Sequence, residues 1–416
     1  MGLLLFACLL IGISLITLKP RGEEPPGFSL PTQSHPAAAG EEPRQEVRAV
    51  VPVYDFLLQA VGNLDGSSCL EIPTDDGKVR TIQTGLDEDF QRWALMRLNV
   101  SMALAGTAVA LDAFSGRIVA LATYNQDPLS PLAFFWKTYP AASIFKIVTA
   151  SAALDMGLLE PDSVLTFNGG PYILCRRNLS QKTFSWSERV TLSEAFARSL
   201  NPVFGKIGMY MLGKEPLERY ASAFFFNQEL PSEVPFETAR LSVPANPLGI
   251  AEIASGFNRT TTLSPIQAAW MGAALFADGA APAPWLVKTI REEPDRTIYV
   301  HREEIPVRMT SPEVARMMRE LMEDTIHRGT CRRSFAPAAR YRHLHTVRFG
   351  GKTGNINDDS GRVKYDWFVG YGEDASTERC LVLCVMMIHD GQRLGQRANR
   401  IAFDLFNQYF RADRAP

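Results

Sequence analysis

An α+β or α/β fold is predicted by three features of this 416-residue sequence. Strand-like runs gather at both ends of the region from Val79 onward, and a helix-rich stretch at about 140–290 lies between them. The last strand-like run, Cys380–Ile388 (CLVLCVMMI), is apolar on both parities, so it needs cover on both faces. A sheet drawn from both ends of a domain around a helical insertion belongs to one of these two classes. The composition fits an ordered chain with a large core, at 46% hydrophobic, 10% aromatic and 21% charged residues, which excludes wholesale disorder. With 43 Lys+Arg against 45 Asp+Glu the net charge is −2, and no polyanion footprint argues for nucleic acid as a partner. Six cysteines are too few for a disulfide scaffold. Cys175 and Cys331 could pair outside the cytosol or remain isolated thiols.

The chain begins with an uncharged apolar run, Gly2–Leu18, of 17 residues, stopped by Lys19-Pro20-Arg21. That length is at the short end of what crosses a bilayer, roughly 17–25 residues. A cleaved signal has an apolar region of only about 7–15 residues and a small-residue cleavage site, and no such site follows here. The expectation for residues 1–18 is therefore a membrane anchor, with a signal segment as the alternative. No positive charge precedes it, which leaves its orientation weakly specified. Residues 19–47 carry six prolines and read as an extended linker. Residues 48–78 form a short juxtamembrane piece with no assigned role.

From Val79 to the C-terminus the pattern is that of one domain. Leu86–Leu98 has helical periodicity, and Thr107–Asp112 with Gly116–Thr123 reads as two strands around Phe114-Ser115-Gly116. Strands return near Thr346–Gly350, Asp366–Tyr371 and Cys380–Ile388, and an amphipathic helix closes the chain at Ala398–Phe410.

Three short motifs stand on these elements. Ser143-Ile144-Phe145-Lys146 opens a run to Gly157 that is apolar nearly all round, the pattern of a buried central helix. Ser143 and Lys146, three residues apart, share a face of its first turn. A buried lysine is driven toward its neutral form, in which it accepts the proton of an attacking hydroxyl. Ser199-Leu200-Asn201 falls between two predicted helices. The first opens with the capping box Thr191-x-x-Glu194, and the second starts at Pro202 with Asn201 as its expected cap. Lys352-Thr353-Gly354 follows Gly350-Gly351 at the end of a β-rich run. A cation and a hydroxyl on an exposed strand edge suit a carboxylate, and the glycines let a ligand lie against the backbone. The sequence Asn355–Gly361 reads as the hairpin loop after it. A phosphate loop is excluded, because Thr346 stands where that pattern needs glycine. His343 and His345 lack the Cys/His company of a zinc site.

In this order the motifs resemble the S-x-x-K, S-D-N and K-T-G signature of penicillin-binding proteins and class A β-lactamases. The likeness to the transpeptidase domain of penicillin-binding proteins covers most of residues 79–416. It includes Thr81–Gln91, Ala108–Thr123, Tyr139–Ala150, Leu192–Lys206 and Thr262–Gly279. Two departures stand out: Ala141-Ala142 where Pro-Gly is usual, and Asn355 where Thr or Ser usually follows the third motif.

The resemblance implies an α+β domain with a central antiparallel sheet and an inserted helical subdomain. It also implies a D,D-transpeptidase that cross-links peptidoglycan stem peptides and is trapped by β-lactams. Ser143 is then the nucleophile, Lys146 its base and Ser199 the proton relay. Asn201 holds a substrate amide, and Lys352, Thr353 and Gly354 form the carboxylate end of the site. The backbone N–H groups of Ser143 and Asn355 make the oxyanion hole. No metal or organic cofactor is implied. The expected setting is the bacterial cytoplasmic membrane, a single pass with the catalytic domain on the periplasmic side, beside a separate membrane glycan polymerase. A D,D-carboxypeptidase shares these motifs. A class A β-lactamase is disfavoured by the lack of an E-x-x-L-N loop, and a non-catalytic β-lactam sensor by the presence of every acylation residue.

Overall fold

The structure is a computed structural model that describes residues 67–73, 77–126, 137–232, 236–292, 294, 296–391 and 395–411. The expected anchor, the proline-rich linker and the first part of the juxtamembrane piece lie outside the described residues. Among the described residues no helix is long and apolar enough to cross a membrane.

The chain opens with β1 (Cys69–Pro73) and β2 (Val79–Thr84), followed by α1 (Glu88–Asn99), β3 (Ala105–Leu111) and β4 (Ile118–Asn125). The Asp87 carboxylate caps α1 by accepting from the Phe90 N–H, and Glu88 and Asp89 favour the positive end of the helix dipole. The helical region then carries α2 (Lys146–Asp155), β5 (Val164–Phe167), β6 (Glu188–Thr191), α3 (Leu192–Ala197), α4 (Asn201–Lys206), α5 (Lys214–Ala223), α6 (Pro247–Ser255) and α7 (Pro265–Phe276). After it come β7 (Val287–Glu292), β8 (Arg296–Val300), α8 (Pro312–His327), β9 (Val347–Asn357), β10 (Val363–Asp374), β11 (Arg379–Asp390) and α9 (Ala398–Arg411).

The main sheet has the order β9-β10-β11-β3-β4 with every pairing antiparallel. It is thus assembled from both ends of the domain, as the α+β expectation required. The two-parity pattern of β11 has a direct cause. Leu381, Leu383, Val385 and Met387 pack in one core with Phe403 and Phe406 of α9 and Phe90 and Leu98 of α1. Val382, Cys384 and Met386 pack on the other face in a core that includes Trp270 and Met271 of α7.

A second sheet, β1-β2-β7-β8, closes on Ile82, Val287 and Ile290 and straddles the division at 78/79 drawn from the sequence. Both Cys175, exposed, and Cys331, buried, are free thiols, so the possible disulfide between them is not formed. His343 meets the Asn407 amide at 2.9 Å and His345 the Ala339 carbonyl at 3.1 Å.

Three local expectations change. A 3-10 turn, Ala142–Phe145, carries Ser143 and leads into α2, which starts only at Lys146. Strand β9 runs on through the third motif to Asn357, because Gly354, Asn355 and Asn357 continue the ladder opposite Trp367, Asp366 and Lys364. The expected loop therefore shrinks to a tight turn in which the Asp358 N–H donates to the Val363 carbonyl. Finally, Leu200 rather than Asn201 is the cap residue of α4, and it makes no side-chain bond.

Candidate active site

The turn bearing Ser143 is held by two close approaches. Ala142 adopts φ 48°, a left-handed conformation, at the position where the family resemblance implies glycine. Gly256, at φ 66°, ends α6 against this turn, and a Cβ there would fall 1.9 Å from the Ala142 carbonyl oxygen. On the other side β9 passes so near that a Cβ on Gly354 would lie 3.1 Å from the Ser143 nitrogen and 3.2 Å from that of Ile144. Gly354 therefore seats the strand against the Ser143 turn, whereas the sequence suggested room for a ligand.

Lys146 is fully buried, and its Nζ has three partners: Ser143 Oγ at 2.7 Å, Asn201 Oδ1 at 2.7 Å and the Ser255 carbonyl at 2.6 Å. None is a carboxylate. Burial holds its pKa well below the ordinary lysine value, and the nearby Lys352 pushes the same way. The neutral amine has two N–H bonds and one lone pair. The amide and backbone oxygens can only accept, so they take the two N–H bonds, and the lone pair is left for the Ser143 O–H.

Asn201, the first residue of α4, is fixed by its own backbone and side chain. Its N–H donates to the Pro171 carbonyl at 2.8 Å, and its Nδ2 donates to the Tyr172 carbonyl at 3.0 Å. The amide oxygen is thereby turned to Lys146, a role beyond helix capping. Ser199 occupies the left-handed region at φ 58° between α3 and α4. Its Oγ accepts from Lys352 Nζ at 2.9 Å, and the same ammonium donates to the Thr353 carbonyl at 2.7 Å.

The edge position of β9 suggested an exposed lysine. Instead Lys352 is fully buried, because α8 and the Ser143 turn cover that strand. Burial lowers its pKa to about 7, opposed by the neighbouring Cys331 thiol. Each lysine also sits over a phenylalanine ring, Lys146 over Phe204 at 5.6 Å and Lys352 over Phe196 at 5.4 Å, and for Lys352 the ring partly offsets the cost of burying its cationic form.

A cleft of about 740 Å³ opens over these groups, with Ser143, Ser199, Asn201, Thr353 and Asn355 on its wall. Lys146, Lys352 and Gly354 lie behind that wall. Lys352 thus reaches the cleft only by its field and through its hydrogen bond to Ser199, while the Thr353 hydroxyl opens on it. Sequence reasoning missed Thr330, whose Oγ1 lies 2.6 Å from that of Thr353. It also missed Tyr172, and the Ser255 carbonyl that fixes Lys146. The only signal for the last was Gly256 at the end of an apolar helical run. Thr330 carried none.

A serine hydroxyl set against a buried lysine amine, between an antiparallel sheet and a helical insertion, defines the active-serine fold of the penicilloyl-serine transferases. The profile described as "Penicillin binding protein transpeptidase domain" matches residues 106–408, and the chain belongs to that family. It is 30% identical over 274 residues to the peptidoglycan D,D-transpeptidase PbpA of Mycolicibacterium smegmatis, covering 55% of this chain and 52% of that protein. It is 26% identical over 221 residues to the stage V sporulation protein D of Bacillus subtilis, covering 53% of this chain and 33% of that one. The chain therefore spans about half or less of these relatives.

Among solved structures, it is similar to the D,D-transpeptidase domain of a peptidoglycan glycosyltransferase from Eggerthella lenta. The TM-score is 0.65 at 18% identity, covering 83% of this chain and 95% of that one. Penicillin-binding protein 3 of Mycobacterium tuberculosis gives 0.63 at 20% identity, with 80% of each chain covered.

Proposed function

We propose that this chain is a serine D,D-transpeptidase that cross-links peptidoglycan stem peptides through an acyl-enzyme on Ser143. The observation that carries the reading is the hydrogen-bond set of Lys146, which leaves the lone pair of a neutral amine for the Ser143 hydroxyl. Ser143 Oγ attacks the carbonyl between the last two D-alanines as Lys146 takes its proton. The tetrahedral oxyanion lies between the N–H groups of Ser143 and Asn355, where losing one donor costs about 3–4 kcal/mol in the transition state. When the C–N bond breaks, Ser199, hydrogen-bonded to Lys352, gives its proton to the leaving D-alanine amine and is re-protonated with the proton that Lys146 took from Ser143, so Lys146 is neutral again. Thr353 holds the terminal carboxylate in the positive field of Lys352, and Asn201 faces the peptide backbone. An amine of a second stem peptide then takes the acyl group and returns Ser143 to its starting state. A β-lactam follows the same first step and stays attached.

The apolar N-terminal run fits an anchor that holds this domain at the outer face of the cytoplasmic membrane, beside a glycan polymerase carried by another protein. The test of the activity is product analysis with a D-Ala–D-Ala peptide donor and an added amine. The expected products are free D-alanine and the aminolysis product, both lost in Ser143→Ala. Hydrolysis product alone means a carboxypeptidase, and D-alanine release that survives in Ser143→Ala removes Ser143 from the mechanism.

A further inference from the structure

The cleft extends well past the reacting groups, to the N-terminus of α9, and its far end is built differently. His389 lines it, is 1% exposed, and has no hydrogen-bond partner for either ring nitrogen among the described residues. Buried polar atoms left in this state demand an explanation. The nearest carboxylate oxygen, Asp366 Oδ2, is 3.6 Å from His389 Nε2, beyond hydrogen-bond reach, and is already taken by the Ala398 N–H at 3.0 Å. Lys364, the register partner of His389, and Arg397, just before α9, line the same end. Neither makes an ion pair with a described residue. Arg259, also on the cleft, is by contrast engaged by Asp359 at 3.2 Å and the Asn357 carbonyl at 2.6 Å. Two cations and an imidazole without partners among the described residues, with the positive end of a 14-residue helix, thus face one carboxylate.

We propose that this end of the cleft, formed by His389, Lys364 and Arg397, is a subsite for a second carboxylate of the peptide substrate, distinct from the terminal carboxylate at Thr353. The proposal rests on the acyl-transfer reading of the cleft. Position in the sheet sets the reach. Lys364 and Asp366 are neighbours on one face of β10, Asp366 pairs with Asn355, and Lys364 pairs with His389. His389 is therefore two strands across and two residues along from Asn355, about 12 Å at a strand spacing of about 4.8 Å and a rise of about 3.3 Å. An extended peptide covers that in three to four residues. The carboxylate belongs either to the donor peptide, a few residues from the bond that is cut, or to the acceptor peptide.

The test uses synthetic peptides that differ only in one side-chain carboxylate or its carboxamide, tried first as donors and then as acceptors with the full chain. In one arm kcat/KM is expected to favour the carboxylate at least tenfold, and that arm identifies the source. In Lys364→Gln/Arg397→Gln the preference is expected to fall to near one, with His389→Gln lowering it independently. A preference near one in both arms of the wild type overturns the subsite, as does a tenfold preference that survives the double substitution. Penicillin labelling of the wild type runs in parallel. Absence of labelling defeats the acyl-transfer reading, whereas labelling without carboxylate preference defeats the subsite alone.

Discussion

Two lysines, both fully buried, divide the proposed chemistry between them by what surrounds each one. Lys146 faces only neutral oxygens, and burial drives its pKa well below the ordinary lysine value, toward the unprotonated form that the proposed base requires. Lys352 is poised at about 7, so its charge is partial at neutral pH. The signs give a bell-shaped profile. As pH rises through the depressed pKa of Lys146, the amine loses its proton and acylation speeds up. As pH rises past about 7, Lys352 loses the charge that attracts a carboxylate, and acylation slows. Lys352→Arg keeps its cation throughout and is expected to abolish the alkaline limb in the pH dependence of kcat/KM for penicillin acylation. A limb that persists in that variant would assign it to another group. Spacing alone placed Ser143 beside Lys146, since three residues make one turn. The partnership of Lys352 with Ser199 joins residues 153 apart in the chain and was visible only through the family resemblance.

At the scale of elements, the nucleophile turn is clamped between the end of α6 and the middle of β9. A methyl group at 354 would meet two backbone nitrogens of that turn, at 3.1 and 3.2 Å, and backbone can yield only by moving the turn or the strand. A displacement of about 1 Å at a reacting centre costs about a hundredfold, so the few tenths required here is expected to cost about tenfold. Gly354→Ala should slow acylation by that factor with its thermal midpoint nearly unchanged, measured by stopped-flow acylation and calorimetry. Wild-type rates would show that the strand is not seated against the turn.

Caps and helices were legible because their signals are local, as in the Thr191–Glu194 capping box, both halves of which form. The length of β9 was not. Asn355-Ile356-Asn357 has turn-like composition, and only pairing with Asp366 and Lys364 on the next strand keeps it extended. The burial of Lys352 was hidden for the same reason, since its cover comes from α8 and the nucleophile turn.

For the whole molecule, the sheet joins β3 and β4 to strands more than 200 residues later, which brings Ser143, Ser199 and Lys352 to one cleft only when the entire domain is folded. The sequence carried the class of this architecture in the two-parity pattern of β11, which sits at the centre of the sheet with helices on both faces. It carried nothing of the side sheet's reach across residue 78, because β1 is short and largely exposed, and its partner strand precedes a helix that dominates the local pattern. The claim on which the function depends is that the hydroxyl of Ser143 is the group made nucleophilic by this convergence. Mass spectrometry of the full chain after penicillin treatment tests it most directly. One adduct on the peptide that contains Ser143 is the result expected, and a folded protein left unmodified, or modified at another residue, would contradict it.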